Sequence, residues 1–369
     1  MRSGSGKSGA RWLQLSLLLG ASVGFASGQT TKRVDVETDT LFSGDVDVIQ
    51  SRLRYEQEWE SWTVAGTFGH IRHEIEYRST DTFPSEVSRE EDTWEGGIEV
   101  EKAFGDRFAL LGAATYTEGF PDHRQLWISQ FYDLDNAGQP AYESADPRSL
   151  AFSLGGQWNY RPGYAFLQAT VSFSRADIVP GWLGQVNPAT GSLLLESTEE
   201  TLDTYTGSLI WSTVVNPRLR TQQTFRISQV EGREVRTQLR SEWAYSATDW
   251  LAFRGEIGAA HENPIFEAIY GGLTAVIDLN ESWQFTAGAR YYEDTGEVSV
   301  SDFTPSAPGL DSWELSAGVR WQREDLQVRL SGALLDSDFD PVDLANQPFS
   351  FLYRDRQFAA ARLAITYQF

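Results

Sequence analysis

Side chains alternate in character along nearly the whole chain, and that period of two most narrows what the chain can become. In the last strand one face reads Ala359, Ala361, Leu363, Ile365, Tyr367, Phe369 and the other Ala360, Arg362, Ala364, Thr366, Gln368. The same rule gives apolar stripes at Trp94, Ile98, Val100, at Leu150, Phe152, Leu154, Trp158, and at Trp313, Leu315, Val319, Trp321. A repeat of two belongs to strands, whose successive side chains leave on opposite faces. The chain is therefore read as all-β. No stretch after residue 28 approaches the ~20 apolar residues that a helix needs to cross a bilayer, so helical insertion is excluded.

The connections between these strands follow a rule of their own. Turn-like links at 58–61, 104–107, 161–163, 216–218, 247–249, 280–282 and 323–325 alternate with a second set at 78–92, 119–148, 176–200, 229–233, 262–265, 294–310 and 336–353. Two members of the second set are brief, but none of the first set is long. Such asymmetry places all tight turns on one side of a sheet and all long loops on the other.

Composition fixes the compartment. Residues 1–28 read as a cleaved secretory signal peptide, with Arg2, Lys7 and Arg11 ahead of an apolar run and small residues at Ala26 and Gly28. The formal charge is −22, and removing those three cations takes the mature chain to −25. That excess argues against nucleic acid as a partner, since phosphate contacts need clustered Lys and Arg. There is no cysteine, hence neither a disulfide framework nor a lipidated N-terminus. Only 41% of residues are hydrophobic, yet there are thirteen Trp, fourteen Tyr and twenty-one Phe. An apolar stripe on every second residue, with aromatics at the strand ends, yields that combination. No composition break divides the chain: residues 29–44 form a lead-in or short first strand, and 45–369 form one domain.

A terminal Phe369, with Tyr367 two before it and aliphatics at alternate positions further back, resembles the closing strand of bacterial outer-membrane β-barrels of the porin-like kind. The resemblance implies a single-chain antiparallel transmembrane β-barrel in the outer membrane of a diderm bacterium, with short periplasmic turns and longer acidic external loops. It also implies that Tyr367 and Phe369 carry the assembly signal read by the barrel-assembly machinery, and that outer-membrane lipid and lipopolysaccharide surround the wall. About fifteen strands are counted from Val46 onward; the weak Val34, Val36, Thr38 segment makes sixteen, and fourteen is the alternative if the first hairpin stays outside the membrane. A soluble sandwich that happens to end in Phe is the competing fold.

If the apolar stripe meets lipid, the alternate positions meet the lumen. Those positions hold Arg220, Arg226, Arg236, Arg240, Arg254, Arg290, Arg320, Arg329 and Arg362, with Glu242, Glu256 and Glu314 among them and Glu95, Glu99 and Glu101 on an earlier strand. The expected function is a channel for passive diffusion of small hydrophilic solutes or ions, its selectivity set by these charges. The loop at 119–148, with Asp122, Asp133, Asp135, Glu143 and Asp146, is the candidate constriction. The competing readings are a non-transporting structural or adhesive barrel closed by an Arg/Glu network, and a membrane-embedded lipid hydrolase.

Enzymatic signatures are poor, and no cofactor is expected. His70 and His73 fall on opposite faces of one strand, so they cannot share a metal there. Ser172 and Ser174 have no histidine that the sequence sets beside them. Asp336, Asp338 and Asp340 lack the central Gly and final Glu of a calcium loop; divalent cations shared with lipid headgroups are the partner that the acidic loops would take.

Overall fold

The computed structural model describes residues 31–78, 86–119, 142–143, 147–186, 193–264, 266–296, 308–340 and 355–369. The signal peptide reading, most of the candidate constriction loop and several acidic loop residues lie outside them. The described strands are β1 (Thr31–Phe42), β2 (Val46–Trp59), β3 (Trp62–Arg78), β4 (Glu86–Phe104), β5 (Phe108–Glu118), the two-residue β6 (Tyr142–Glu143), β7 (Arg148–Arg161), β8 (Ala165–Val186) and β9 (Leu193–Asn216). They continue as β10 (Leu219–Val230), β11 (Val235–Ser246), β12 (Leu251–Glu262), β13 (Phe266–Asp278), β14 (Trp283–Asp294), β15 (Leu310–Arg323), β16 (Leu326–Phe339) and β17 (Arg356–Gln368).

Sixteen of these, all but β6, form one closed antiparallel ring in which each strand pairs with its neighbours in sequence and β1 pairs with both β2 and β17. Closure leaves no open edge, the condition a sheet must meet in hydrocarbon. The last bonds of the seam are reciprocal: Lys32 N–H donates to the Phe369 carbonyl at 2.9 Å and Phe369 N–H to the Lys32 carbonyl at 2.8 Å. The segment at 29–44, expected as a lead-in or short strand, thus supplies a twelve-residue strand of the wall, and sixteen strands, not fourteen, make the ring.

Two long connections prove shorter than the sequence suggested. β8 and β9 extend to Val186 and from Leu193, and β3 and β4 pair out to Arg78 and Glu86. The stretch 176–200 was read as loop because Pro180, Gly181 and Gly184 break its alternation, but the backbones of β8 and β9 pair through it with an irregularity between Ile178 and Gly181. Tyr142 and Glu143 pair in parallel with Leu195 and Glu196 on β9, so that point of the 119–148 segment is tied to the projecting hairpin.

Burial runs opposite to that of a soluble sheet. Leu154, Leu315 and Leu334 are 64%, 62% and 67% exposed, whereas Asp35, Glu37, Arg54 and Glu262 are buried. Among the described residues one closed sheet forms and no second sheet covers its aliphatic face, which removes the sandwich. Aromatics gather at both ends of the belt, with Trp59, Trp62, Phe104, Phe108, Trp158 and Trp283 near the tight turns and Trp94, Tyr116, Tyr205 and Trp313 near the long loops. Trp313 and Trp321 on β15 are eight positions apart, about 27 Å of strand, or about 20 Å of thickness at the usual tilt of ~40°. Glycines admit rings lying flat on the wall: a Cβ at Gly255 would strike Trp243 on the outside, and one at Gly258 would strike Tyr270 on the inside.

Candidate functional site

Register and alternation together assign the lumenal positions among the described residues, and they divide that inner wall into three arcs. On β1 to β4 it carries Asp35, Glu37, Asp39, Glu56, Glu58, Glu95, Glu99 and Glu101 against Arg33, Arg52 and Arg54. On β5, β7, β8 and β9 the described inward residues are Ala, Gly, Ser, Thr, Gln and a few larger apolar groups, among them Thr115, Ser153, Thr170, Ser172, Ser174, Thr206, Ser208 and Ser212, with no charge. On β10 to β17 arginine dominates. In a ring of sixteen, β12 stands eight strands from β3, so basic and acidic arcs lie across the lumen from each other.

Most of the arginines are engaged. Arg54, only 5% exposed, bridges Glu56 at 2.6 Å and Glu99 at 2.5 Å, and Arg52 meets Glu95 at 3.0 Å. Arg240 joins Glu242 at 2.9 Å and Glu256 at 2.7 Å, and Arg290 approaches the same Glu256 at 3.6 Å. Arg236 covers the deeply buried Glu262 at 2.8 Å. Arg362 spans the seam to Glu37 and to Asp39. Arg236–Glu262, Arg240–Glu256 and Arg362–Asp39 join adjacent strands, the kind of pair that helps fix register in a sheet, whereas Arg52, Arg54 and Arg290 reach carboxylates two strands away and Arg54–Glu56 and Arg240–Glu242 run along single strands.

All nine arginines named from the sequence fall on the lumenal face, as do Glu99, Glu101, Glu242, Glu256 and Glu314. What they contact differs. Arg236, Arg240, Arg290 and Arg362 sit in ion pairs, while Arg220 reaches only Ser212 Oγ at 3.4 Å. Arg226, Arg254 and Arg320 have no hydrogen bond or ion pair among the described residues. Glu101 has other carboxylates, Glu56 and Glu58, within range of its charge. Sequence reasoning missed Arg33, Arg52, Arg54, Asp35, Glu37, Asp39 and Glu262. The signal was present, since Arg52, Arg54, Glu56 and Glu58 alternate with Leu53 and Tyr55, but it sat on strands left unassigned. Of the candidate constriction, only the backbone of Glu143 is described; Asp122, Asp133, Asp135 and Asp146 lie outside the described residues.

The outer wall corrects one expectation about catalysis. Ser172 and Ser174 face the lumen, yet a different serine does lie beside a histidine: Ser51 on β2 and His70 on β3 are cross-strand partners on the lipid-facing side. His70 Nε2 lies 2.7 Å from Asp92 Oδ1 and the ring stacks on Trp94 at 4.1 Å. Ser51 Oγ, however, is buried without a hydrogen-bond partner, so the histidine does not hold it as an activated nucleophile.

At the carboxyl end Tyr367 and Phe369 are exposed on the outer face, their rings 5.7 Å apart and nearly parallel, with Lys32 Nζ 5.8 Å from the Phe369 ring. A closed ring of sixteen antiparallel strands, apolar without and polar within, is now defined. This is the architecture of outer-membrane β-barrels. Among solved structures the chain is similar to CdiB from Acinetobacter baumannii, with a TM-score of 0.55 and 8% identity over 91% of this chain. It spans 60% of that protein's length. It is also similar to Acinetobacter baumannii OccAB3, at a TM-score of 0.47 and 7% identity over 92% of this chain and 99% of that one. The Pseudomonas putida toluene transporter TodX follows, at 0.41 and 10% over 92% and 88%. At these identities the likeness concerns fold alone. No protein-family model and no curated protein matches the chain.

Proposed function

We propose that this protein is a porin-like channel of the outer membrane, through which small hydrophilic solutes or ions diffuse passively. The observation that carries the reading is the uncharged arc. A barrel plugged by an Arg/Glu network would need long paired side chains around the whole ring, and from β5 to β9 the described inward side chains are mostly small and hydroxylic. A sixteen-strand ring is wide enough to leave an aqueous path, and this arc leaves it clear on one side. In this reading the tight turns are periplasmic, the long acidic loops external, and the 119–148 loop narrows the mouth. Export follows cleavage of residues 1–28, and Tyr367 and Phe369 present the assembly signal. Lipid and lipopolysaccharide cover the belt, with divalent cations shared at the acidic loops. Purified protein in planar bilayers is expected to give stable conductance steps; silence at every voltage would leave the closed structural barrel in its place.

A second reading has its own observation, the placement of Ser51 across from His70, which Asp92 meets at 2.7 Å, near the outer aromatic belt where lipid esters lie, although no hydrogen bond joins the serine to the histidine. A lipid-hydrolysis assay of wild type and Ser51→Ala decides it. The channel reading expects no activity in either protein, whereas turnover lost on substitution would make the barrel a hydrolase.

A further inference from the structure

We propose that the tight-turn half of the lumen holds a binding site for a small oxyanion, a carboxylate or a phosphate, formed by Arg254, Arg320 and Arg329. The proposal rests on the channel reading above and names what the channel selects. Arg320 on β15 and Arg329 on β16 are direct cross-strand partners on the inner face. Like charges so placed repel, and a guanidinium cannot relieve the repulsion by losing its proton. Arg254 from β12 and Arg33 from β1 lie close enough to Arg329 for their charges to act on it. Asp35 is the carboxylate that acts on Arg329, but its charge is paired with Arg33 through Oδ1, and Oδ2 is buried with no hydrogen bond from Arg329 or any other donor among the described residues. Arg33 donates to it from Nε at 3.0 Å and Nη2 at 2.9 Å, and Thr366 Oγ1 at 2.6 Å.

Donors are left over as well as charge. Arg320 Nε is buried with no hydrogen-bond partner. Arg254 makes no hydrogen bond or ion pair among the described residues. Arg329 has only the amide oxygen of Gln327 which, with the amide turned toward it, accepts from Nε at 3.1 Å and from Nη2 at 3.0 Å. Elsewhere in the same lumen the chain does supply counter-charge, since Arg236, Arg240, Arg290 and Arg362 each have a carboxylate. Arg226 is unpaired too, but its cross-strand partners are the neutral Ser208 and Gln238, and no second cation opposes it. Among the described residues, Arg320 and Arg329 oppose each other directly from different strands with donors unspent, and Arg254 adds a further cation within range of Arg329. Each is a planar fork that matches two oxygens of a carboxylate or a phosphate, so an entering oxyanion removes the repulsion and satisfies the idle N–H groups in one step. Because a solute must also leave, binding is expected to be weak.

The test uses the full mature chain in planar bilayers, as wild type and as Arg254→Gln, Arg320→Gln and Arg329→Gln, singly and together, each checked for the folded barrel by its heat-dependent gel migration. The wild type is expected to show an anion-selective reversal potential in a potassium chloride gradient, and inorganic phosphate or acetate is expected to reduce its chloride conductance. The triple variant should move the reversal potential toward cation selectivity and weaken the block at least about tenfold, the size of losing a charged hydrogen bond. Stronger block by phosphate assigns the site to phosphorylated solutes, and stronger block by acetate to carboxylates. If the wild type conducts but the variants leave both selectivity and block unchanged, the site is overturned and the channel stands. If nothing conducts, the channel reading fails, and calorimetric titration of the detergent-solubilised barrel with phosphate decides the site by itself. Heat lost in the triple variant supports the site; its absence in the wild type overturns it.

Discussion

The uncharged arc of β5 to β9 and the arginine arc of β10 to β17 share one backbone ladder and one rule outside, aliphatics toward lipid, yet inside they solve different problems. In the arginine arc, charge is crowded on the wall, and each cation is balanced by a carboxylate, a ligand or lumenal water. In the uncharged arc no described inward side chain carries a charge that needs a partner, so the side chains on that side stay mostly small. Charged pairs fix strand register at the expense of space; hydroxyls keep space and leave register to the backbone.

The contrast breaks most sharply at Arg54, which belongs to the acidic arc beside the seam. Arg54→Ala removes the cation between Glu56 and Glu99 while Glu101 stands near, and is expected to cost about 3 kcal/mol or more, as uncompensated buried charge does. The urea midpoint of barrel unfolding from lipid measures it. Next comes the outer side of the uncharged arc: Leu154→Arg puts a cation into hydrocarbon and should cost ~2–4 kcal/mol by the same measurement. Inside that arc the outcome inverts. Ser208→Arg, on the opposite face of the same wall, is expected to change stability by less than about 1 kcal/mol, because its head reaches lumenal water, while lowering single-channel conductance by filling the open side. Equal losses at positions 154 and 208 would abolish the distinction between lipid and lumen.

The smallest effect lies on the outer rim above the belt, where Arg175 donates to Asp203 from Nε and Nη2, both at 2.7 Å. Those hydrogen bonds hold the Asp203 carboxyl below its usual value of 3.8. A depressed carboxyl contributes stability above its unfolded value and loses it as pH falls through the folded one. Asp203→Asn should therefore unfold slightly earlier than wild type above pH ~5, with the gap closing in strong acid; a gap independent of pH would sink the assignment.

Much of this was legible in the chain. The lumenal placement of Arg240, Arg320 and Arg362 followed from parity, since once Leu239, Val319 and Leu363 are assigned to lipid their neighbours must face inward. The sixteenth strand was harder, because Val34, Val36 and Thr38 form a weak stripe, and only pairing with β2 and β17 made it a wall strand. The outer part of the β8–β9 hairpin was misread because Pro180, Gly181 and Gly184 interrupt its alternation and read as loop.

Alternation is local, repeating every two residues, so the sequence by itself determined the all-β class, the two faces and the lipid-facing belt. Which charges meet was decided only by the tertiary structure. Thr366 bonds Asp35 across 331 positions of sequence, Arg320 opposes Arg329 while Arg240 finds Glu256, and Ser51 comes to lie beside His70. Those encounters depend on strand register and ring closure, which no single strand encodes, and they separate an arginine paired with a carboxylate from one whose donors are unspent.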